Sequence, residues 1–227
     1  MELKDYEKKL GYEFMNSALL EEALTHRSYL NEHKDAASHN ERLEFLGDAV
    51  LELSATRFLF EKYPNKPEGE LTAYRAALVN TYSIAEVAAT LGTADVLRLS
   101  RGEKRDTGRA RDVILANAFE AVVGALYLDQ GFDAADAFLH AHLYPKLDSI
   151  IEKGAHQDAK SRFQEAAQDR KGVTPSYKTL REDGPDHDRV FTVAVCLKDD
   201  EIARGTGKSK QEAEQAAASA ALEKTGW

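Results

Sequence analysis

The sequence predicts two domains. An all-α domain spans residues 1–152, a linker spans 153–157, and a small α+β domain of order α-β-β-β-α spans 158–227. Three observations carry this expectation. Apolar residues recur at helical spacing in one segment after another as far as Ile151. The stretch Lys153-Gly154-Ala155-His156-Gln157 is short and polar, as linkers are. Beyond it, Phe191, Val193, Val195 and Leu197 alternate with Val190, Thr192, Ala194 and Cys196, the period of a strand.

Composition narrows the class. With 227 residues, 43% of them hydrophobic, the chain can build one or two cores. A single cysteine, Cys196, excludes a framework of internal disulfides and fits a reducing compartment. No apolar run approaches the length of a membrane span, and Met-Glu-Leu-Lys-Asp-Tyr is not the start of a signal peptide. A cytoplasmic protein is expected. Net charge is −9 and unevenly spread: residues 1–152 hold 17 Lys/Arg against 26 Asp/Glu, whereas residues 153–227 hold 13 of each. Neither part has the basic balance of a general nucleic-acid binder, so any such contacts must be local patches.

The first domain opens with a helix over Tyr6–Leu10 closed by Gly11, then Leu19, Leu20, Ala23 and Leu24 at helical spacing. His26, in Thr-His-Arg-Ser-Tyr, reads as a hydrogen-bonded packing residue, and neither His33 nor His39 has a companion at metal-ligand spacing. Ser38-x-x-Glu41 has the form of a capping box opening the next helix.

That helix, Asn40-Glu41-Arg42-Leu43-Glu44-Phe45-Leu46-Gly47-Asp48-Ala49-Val50-Leu51, organises the rest. At about 100° per residue, Glu41, Glu44 and Asp48 fall within an arc of roughly 60°. Leu43, Leu46, Val50 and Leu53 form the face expected to be buried. Gly47 leaves a gap through which another backbone could approach. Stacked carboxylates repel, and a divalent cation would offset that repulsion, although the spacing alone also fits a solvated charged face. Phe45 stands beside the carboxylates, outside the apolar face, which points to an interface bordering a site.

The helix should run through Phe58 and Phe60 toward Pro64, followed by a Pro/Gly loop containing Glu68. Residues 71–91 read as one amphipathic helix, with Leu71, Tyr74, Leu78, Tyr82 and Ile84 apolar, ended by Gly92. Next, Val113 to Asp129 is almost wholly apolar, with Asn117 and Glu120 nearly its only polar groups. An unpaired buried carboxylate is costly, so Glu120 needs a partner, and a cation shared with Glu44 and Asp48 would supply it. The other reading is a Glu at a partly exposed helix edge. A further helix with Ala134, Ala137, Phe138 and Leu143 leads to Pro145, and Leu147, Ile150 and Ile151 close the domain.

In the second domain, Ala159, Phe163, Ala166 and Ala167 make one helix face, with Gln164 and Glu165 off it. Strands are expected at 177–182, at 190–197 and around Ile202, with a turn at Gly184-Pro185-Asp186-His187. Ser209-x-x-Glu212 caps a last helix in which Ala213, Ala216, Ala217 and Ala220 are small enough to lie close on a sheet. Lys208 and Lys210 sit at its N-terminus, where the macrodipole disfavours cations unless phosphate is the partner.

The unbroken run from Asn40 to Leu51 resembles the signature motif of ribonuclease III, the divalent-metal endonuclease of double-stranded RNA, and the stretch from Val113 to Asp129 resembles its second active-site helix. The region after the linker is similar to the double-stranded-RNA-binding domain. The resemblance implies an Mg²⁺-dependent endoribonuclease, with Mn²⁺ as a substitute metal, no organic cofactor and no membrane partner. It implies a homodimer with Phe45 as the dimer contact, leaving 5′-phosphate and 3′-hydroxyl ends with short 3′ overhangs, in rRNA and mRNA processing. Glu44, Asp48, Asn117 and Glu120 would be the metal ligands, with Asp48 and Glu120 catalytic, and Glu41 and Glu68 second-tier acids of the active site. Gln164, Glu165 and His187 would touch successive minor grooves, while Lys208 and Lys210 grip the phosphates between them. The six basic residues between Arg98 and Arg111 are either a solvated loop or further phosphate contacts. One departure stands out: the family commonly has Asp where this chain has Asn117, which removes a charge from the metal site. That departure favours an alternative, a non-cleaving double-stranded-RNA-binding regulator on a degenerate nuclease scaffold.

Overall fold

Caps read from the sequence set several helix ends, and tertiary contacts set the others. The computed structural model describes residues 1–34, 38–105, 107–152, 159–184 and 189–227. Contacts divide the chain into two compact units, Met1–His156 and Gln157–Trp227. The linker expected at 153–157 lies outside the described residues.

The described residues of the first unit form α1 (Leu3–Leu10), α2 (Ser17–Ala23), α3 (Tyr29–Glu32), α4 (Glu41–Lys62), α5 (Glu68–Leu78), α6 (Thr81–Leu91), α7 (Thr93–Val96), α8 (Arg109–Gln130), α9 (Phe132–His142) and α10 (Lys146–Glu152), with one 3-10 turn at Glu103–Arg105. The single helix expected over 71–91 is in fact two. Asn80 accepts the Ser83 N–H at 2.9 Å through its side-chain oxygen, which ends one helix and caps the next. Glu68 is not in a loop but opens α5 behind Pro67. The Ser38 capping box does not form; Asn40 is the N-cap of α4, with no side-chain capping bond. Its N–H donates to the Thr25 carbonyl at 2.9 Å, so a long-range backbone bond guides the chain into α4.

α8 is the centre of this unit. Ile114, Leu115, Phe119, Val122, Val123 and Leu126 are all buried, as its apolar sequence predicts, and it begins at Arg109, four residues before Val113. α4 packs along it, and the residues α4 buries are Leu43, Gly47, Val50, Leu51, Ser54, Ala55 and Leu59. Leu53, expected on that face, is instead 60% exposed. On α9 the buried positions are Ala135, Asp136, Phe138 and Leu139, and Ala137 is exposed. The buried Asp136 accepts from the Ser54 hydroxyl and from the Arg57 guanidinium, both at 2.6 Å, so its charge is paired. Arg98 is not in a free loop: its N–H and carbonyl bond the backbones of Leu24 and His26. Among the described residues no helix is long and apolar enough to cross a membrane.

The second unit contains α11 (Ala159–Lys171), then β1 (Ser176–Asp183), β2 (Val190–Leu197) and β3 (Asp200–Gly207), then α12 (Lys210–Thr225). The strands form one antiparallel sheet of order β1-β2-β3. Ala159 and Phe163 of α11, Val195 of β2, and Ala217, Ala218, Ala221 and Leu222 of α12 make its core. The buried face of α12 is thus turned from the one expected: Ala216 and Ala220 are only partly buried. Leu222, the one large apolar side chain of α12, draws the helix round to bury itself. The small residues do allow a close approach, since a methyl at Gly205 would lie 2.1 Å from the Ala217 nitrogen. Mid-strand, β2 buries Ala194 and Cys196 as well as Val193 and Val195, so its alternation of side chains does not become an alternation of exposure. Trp227 stacks on Phe163 with ring centroids 5.5 Å apart, and the Arg170 guanidinium lies over the indole.

Candidate active site

Two glycines bring the polar residues of α4 and α8 together. A methyl at Gly47 would lie 1.8 Å from the Glu120 carbonyl oxygen and 2.9 Å from the Gly124 nitrogen. A methyl at Gly124 would lie 2.3 Å from the Leu43 carbonyl oxygen. The helices therefore cross backbone against backbone, and only residues without a Cβ fit. The gap at Gly47 was legible in the sequence; its partner Gly124 was missed. A glycine inside a long apolar helix, where alanine would be more stable, was the available signal.

Glu44 and Asp48 flank the crossing on α4, with Asn117 and Glu120 on α8. The Asn117 amide donates a hydrogen bond to the Glu44 carboxylate. Burial raises the pKa of Glu44, the Glu41 charge adds to the rise, the Asn117 bond offsets part of it, and Asp48 adds further. Glu120 is held up more strongly: burial first, then the Asp48 and Glu44 charges, push it up to about 7. Its exposure is intermediate, between the full burial and the open helix edge that the sequence allowed. Glu41 is exposed and faces Arg27 at 3.4 Å and His39 at 3.8 Å, yet its charge reaches Glu44.

Glu68 is not brought to this cluster within the chain. It accepts from the Thr72 hydroxyl at 2.9 Å and lines a groove with Thr56, Leu59, Phe60, Leu71 and Arg75. Thr56 lies eight residues beyond Asp48, roughly 12 Å along α4. His26 is a packing residue, its Nδ1 2.9 Å from the Ser28 hydroxyl, and burial lowers its pKa. Phe45 projects bare into solvent at 82% exposure, and Leu53 and Phe60 continue an exposed apolar line down the same helix.

In the second unit, Gln164 and Glu165 are exposed on α11, while His187 lies outside the described residues. Ser209 caps α12 by accepting the Glu212 N–H at 3.1 Å. The Glu212 carboxylate returns to the N–H of Lys208, at 2.8 Å, so the reciprocal bond of the capping box falls one residue early. The Lys210 ammonium is engaged, 3.0 Å from Glu182 and over the Phe191 ring.

Comparison with known proteins agrees with this pairing of units. The family described as Ribonuclease-III-like matches residues 16–147, and the Double-stranded RNA binding motif matches residues 159–225. The chain belongs to the ribonuclease III family. Ribonuclease 3 of Bdellovibrio bacteriovorus is 45% identical over 221 residues, covering 97% of this chain and 94% of that one. Ribonuclease 3 of Oceanobacillus iheyensis is 46% identical and covers 98% of each chain. Among solved structures, the nuclease domain of ribonuclease III from Campylobacter jejuni matches with a TM-score of 0.58 at 39% identity, covering 63% of this chain and 95% of that chain. A ribonuclease III of this kind pairs an acidic helix crossing with a duplex-binding unit in one chain.

Proposed function

We propose that this chain, an endoribonuclease of double-stranded RNA, hydrolyses phosphodiesters at the α4–α8 crossing with Mg²⁺ held by Glu44, Asn117 and Glu120. The observation that carries the reading is Glu120, a carboxylate pushed up to about 7 by burial and by two like charges. Such a group gains most from a cation, so the donor set fits one. No three His, Cys, Asp or Glu side chains among the described residues close a cage by themselves. Mg²⁺ does not require one, because it keeps several waters and takes only one or two carboxylates plus substrate phosphate. Mn²⁺ can stand in on the same oxygen donors.

Asn117 donates one hydrogen of its amide to Glu44, and its amide oxygen would remain available as a metal ligand. Asp48, exposed beside the crossing, helps hold the metal or orients the attacking water. When bound, the metal lowers the pKa of that water and stabilises charge on the departing 3′-oxygen. Glu41 tunes Glu44 through its charge.

Duplex RNA is held by the second unit: Gln164, Glu165 and His187 in the minor grooves, Lys208 and Lys210 on the phosphates between. Two chains act together through Phe45, and paired cuts leave 5′-phosphates and short 3′ overhangs in structured rRNA and mRNA precursors. Supporting this, Phe45, Leu53 and Phe60 leave three large apolar side chains exposed along one helix. A Campylobacter jejuni structure was described for flexibility in the region involved in dimer formation of its nuclease domain. Glu68, beside Phe60, would then act at the dimer surface. The buried free Cys196 suits the cytoplasm.

The test is to incubate a long RNA duplex with the protein, with and without Mg²⁺, and resolve the products on a denaturing gel. Short fragments only with metal are expected. Intact RNA that is nevertheless retained by the protein would establish the non-cleaving regulator, which Asn117 alone favours.

A further inference from the structure

The Gly47–Gly124 contact fixes how far apart the site's side chains stand. Glu44 lies three residues before Gly47 and Asp48 one after it; Asn117 and Glu120 lie seven and four before Gly124. All four are within about two helical turns of the contact. The atoms an added methyl would strike are the Glu120 carbonyl oxygen, at 1.8 Å from Gly47, and the Leu43 carbonyl oxygen, at 2.3 Å from Gly124. Both are backbone, so neither can swing aside as the end of a side chain could. Any added atom must move the helices themselves, and the carboxylates with them.

We propose that this backbone contact is a spacer that sets the size of the ion accepted, with Gly124 the positioning residue that tunes the site toward a small divalent cation. The inference rests on the metal-site reading above. Mg²⁺ holds oxygen ligands at about 2.0–2.1 Å in a strict octahedron, whereas Ca²⁺ accepts about 2.3–2.6 Å and irregular geometry. A wider crossing penalises the first ion more than the second. Alanine would make a better helix at 124, and the close crossing is what requires glycine there.

The experiment is calorimetric titration of Mg²⁺ and of Ca²⁺ into the full-length protein without RNA, for wild type and Gly124→Ala, with circular dichroism melts and duplex-RNA binding alongside. The variant should melt below wild type, because the helices must part to admit the methyl, yet stay folded and bind RNA, while its preference for Mg²⁺ over Ca²⁺ falls on the order of tenfold. Adding Asp48→Glu, which lengthens one arm across the widened gap, should restore part of that preference. Glu44→Asp shortens an arm across an intact crossing and should shift the preference the same way as Gly124→Ala without touching either glycine. A folded Gly124→Ala with the wild-type preference overturns the spacer. So does a Gly124→Ala that cannot fold together with a Glu44→Asp of unchanged preference. If wild type binds neither ion, with or without a duplex RNA present, the metal-site reading fails, and the spacer with it.

Discussion

At the scale of single residues, Glu120 has the largest consequences. Replacing it with Gln keeps the shape and removes the charge proposed to anchor the cation. Glu120→Gln should bind duplex RNA within a few-fold of wild type, by gel shift, while its single-turnover cleavage rate falls by orders of magnitude. Near wild-type cutting would move the metal site elsewhere. The pH dependence has a definite sign. The folded-state pKa is raised from 4.5 to about 7, so the native protein binds this proton more tightly than the unfolded chain. The stability this group contributes is complete below the unfolded value and is lost as pH rises through the folded one. In EDTA, wild type should therefore lose thermal stability relative to Glu120→Gln between about pH 5 and about pH 8, and Mg²⁺ should reverse that loss. Parallel curves in melting experiments would contradict the raised pKa. Glu120 and Asn117 were legible in the sequence because they interrupt an otherwise apolar run. The failure of the Ser38 cap was not, because the chain enters α4 on a bond from the Asn40 N–H to the carbonyl of Thr25, a contact that only folding brings about.

At the scale of elements, periodicity located most helices but did not say which side would be covered. α4 carries apolar residues on more than one side, so Leu53 looked like core and is surface, while Gly47, Ser54 and Ala55 are what α8 and α9 cover. The same excess of apolar surface predicts self-association. Phe45→Ala should shift the protein toward monomer in light scattering at micromolar concentration, with its helix content unchanged; a wild-type monomer would remove Phe45 from that role. At the start of α12, the ion pair of Lys210 with Glu182 was invisible in sequence because the two are brought together only by folding of the sheet. Lys208→Ala with Lys210→Ala should weaken binding of all duplexes alike and make the plot of log K against log salt shallower, by about 0.9 per lost phosphate contact. Glu182→Gln should act oppositely, tightening binding, since it frees Lys210 from a competing carboxylate. Unchanged salt slopes in both variants would mean these groups never meet RNA.

At the scale of the whole molecule, charge and chemistry are divided between two units. The first carries the entire −9, and its acidic field works against RNA, which is consistent with leaving duplex recognition to a neutral unit with local cations. This division was readable from sequence, since it rests on composition and on a change of period from helical to alternating. The position of the chain's last residue was not. Trp227 is the only tryptophan, and it is stacked on Phe163 in the small unit, one residue before Gln164. The nuclease unit, for all its tyrosines, is consequently dark to selective indole excitation, while helical ellipticity comes mostly from that unit. One sample thus holds two separate thermometers. Indole emission should follow the melting of the RNA-binding unit, and far-ultraviolet dichroism that of the nuclease unit. Adding Mg²⁺ should shift the dichroism curve and leave the emission curve where it was. Adding duplex RNA in EDTA should move the emission curve upward, and a colour change on binding would report contact along α11 without any attached label.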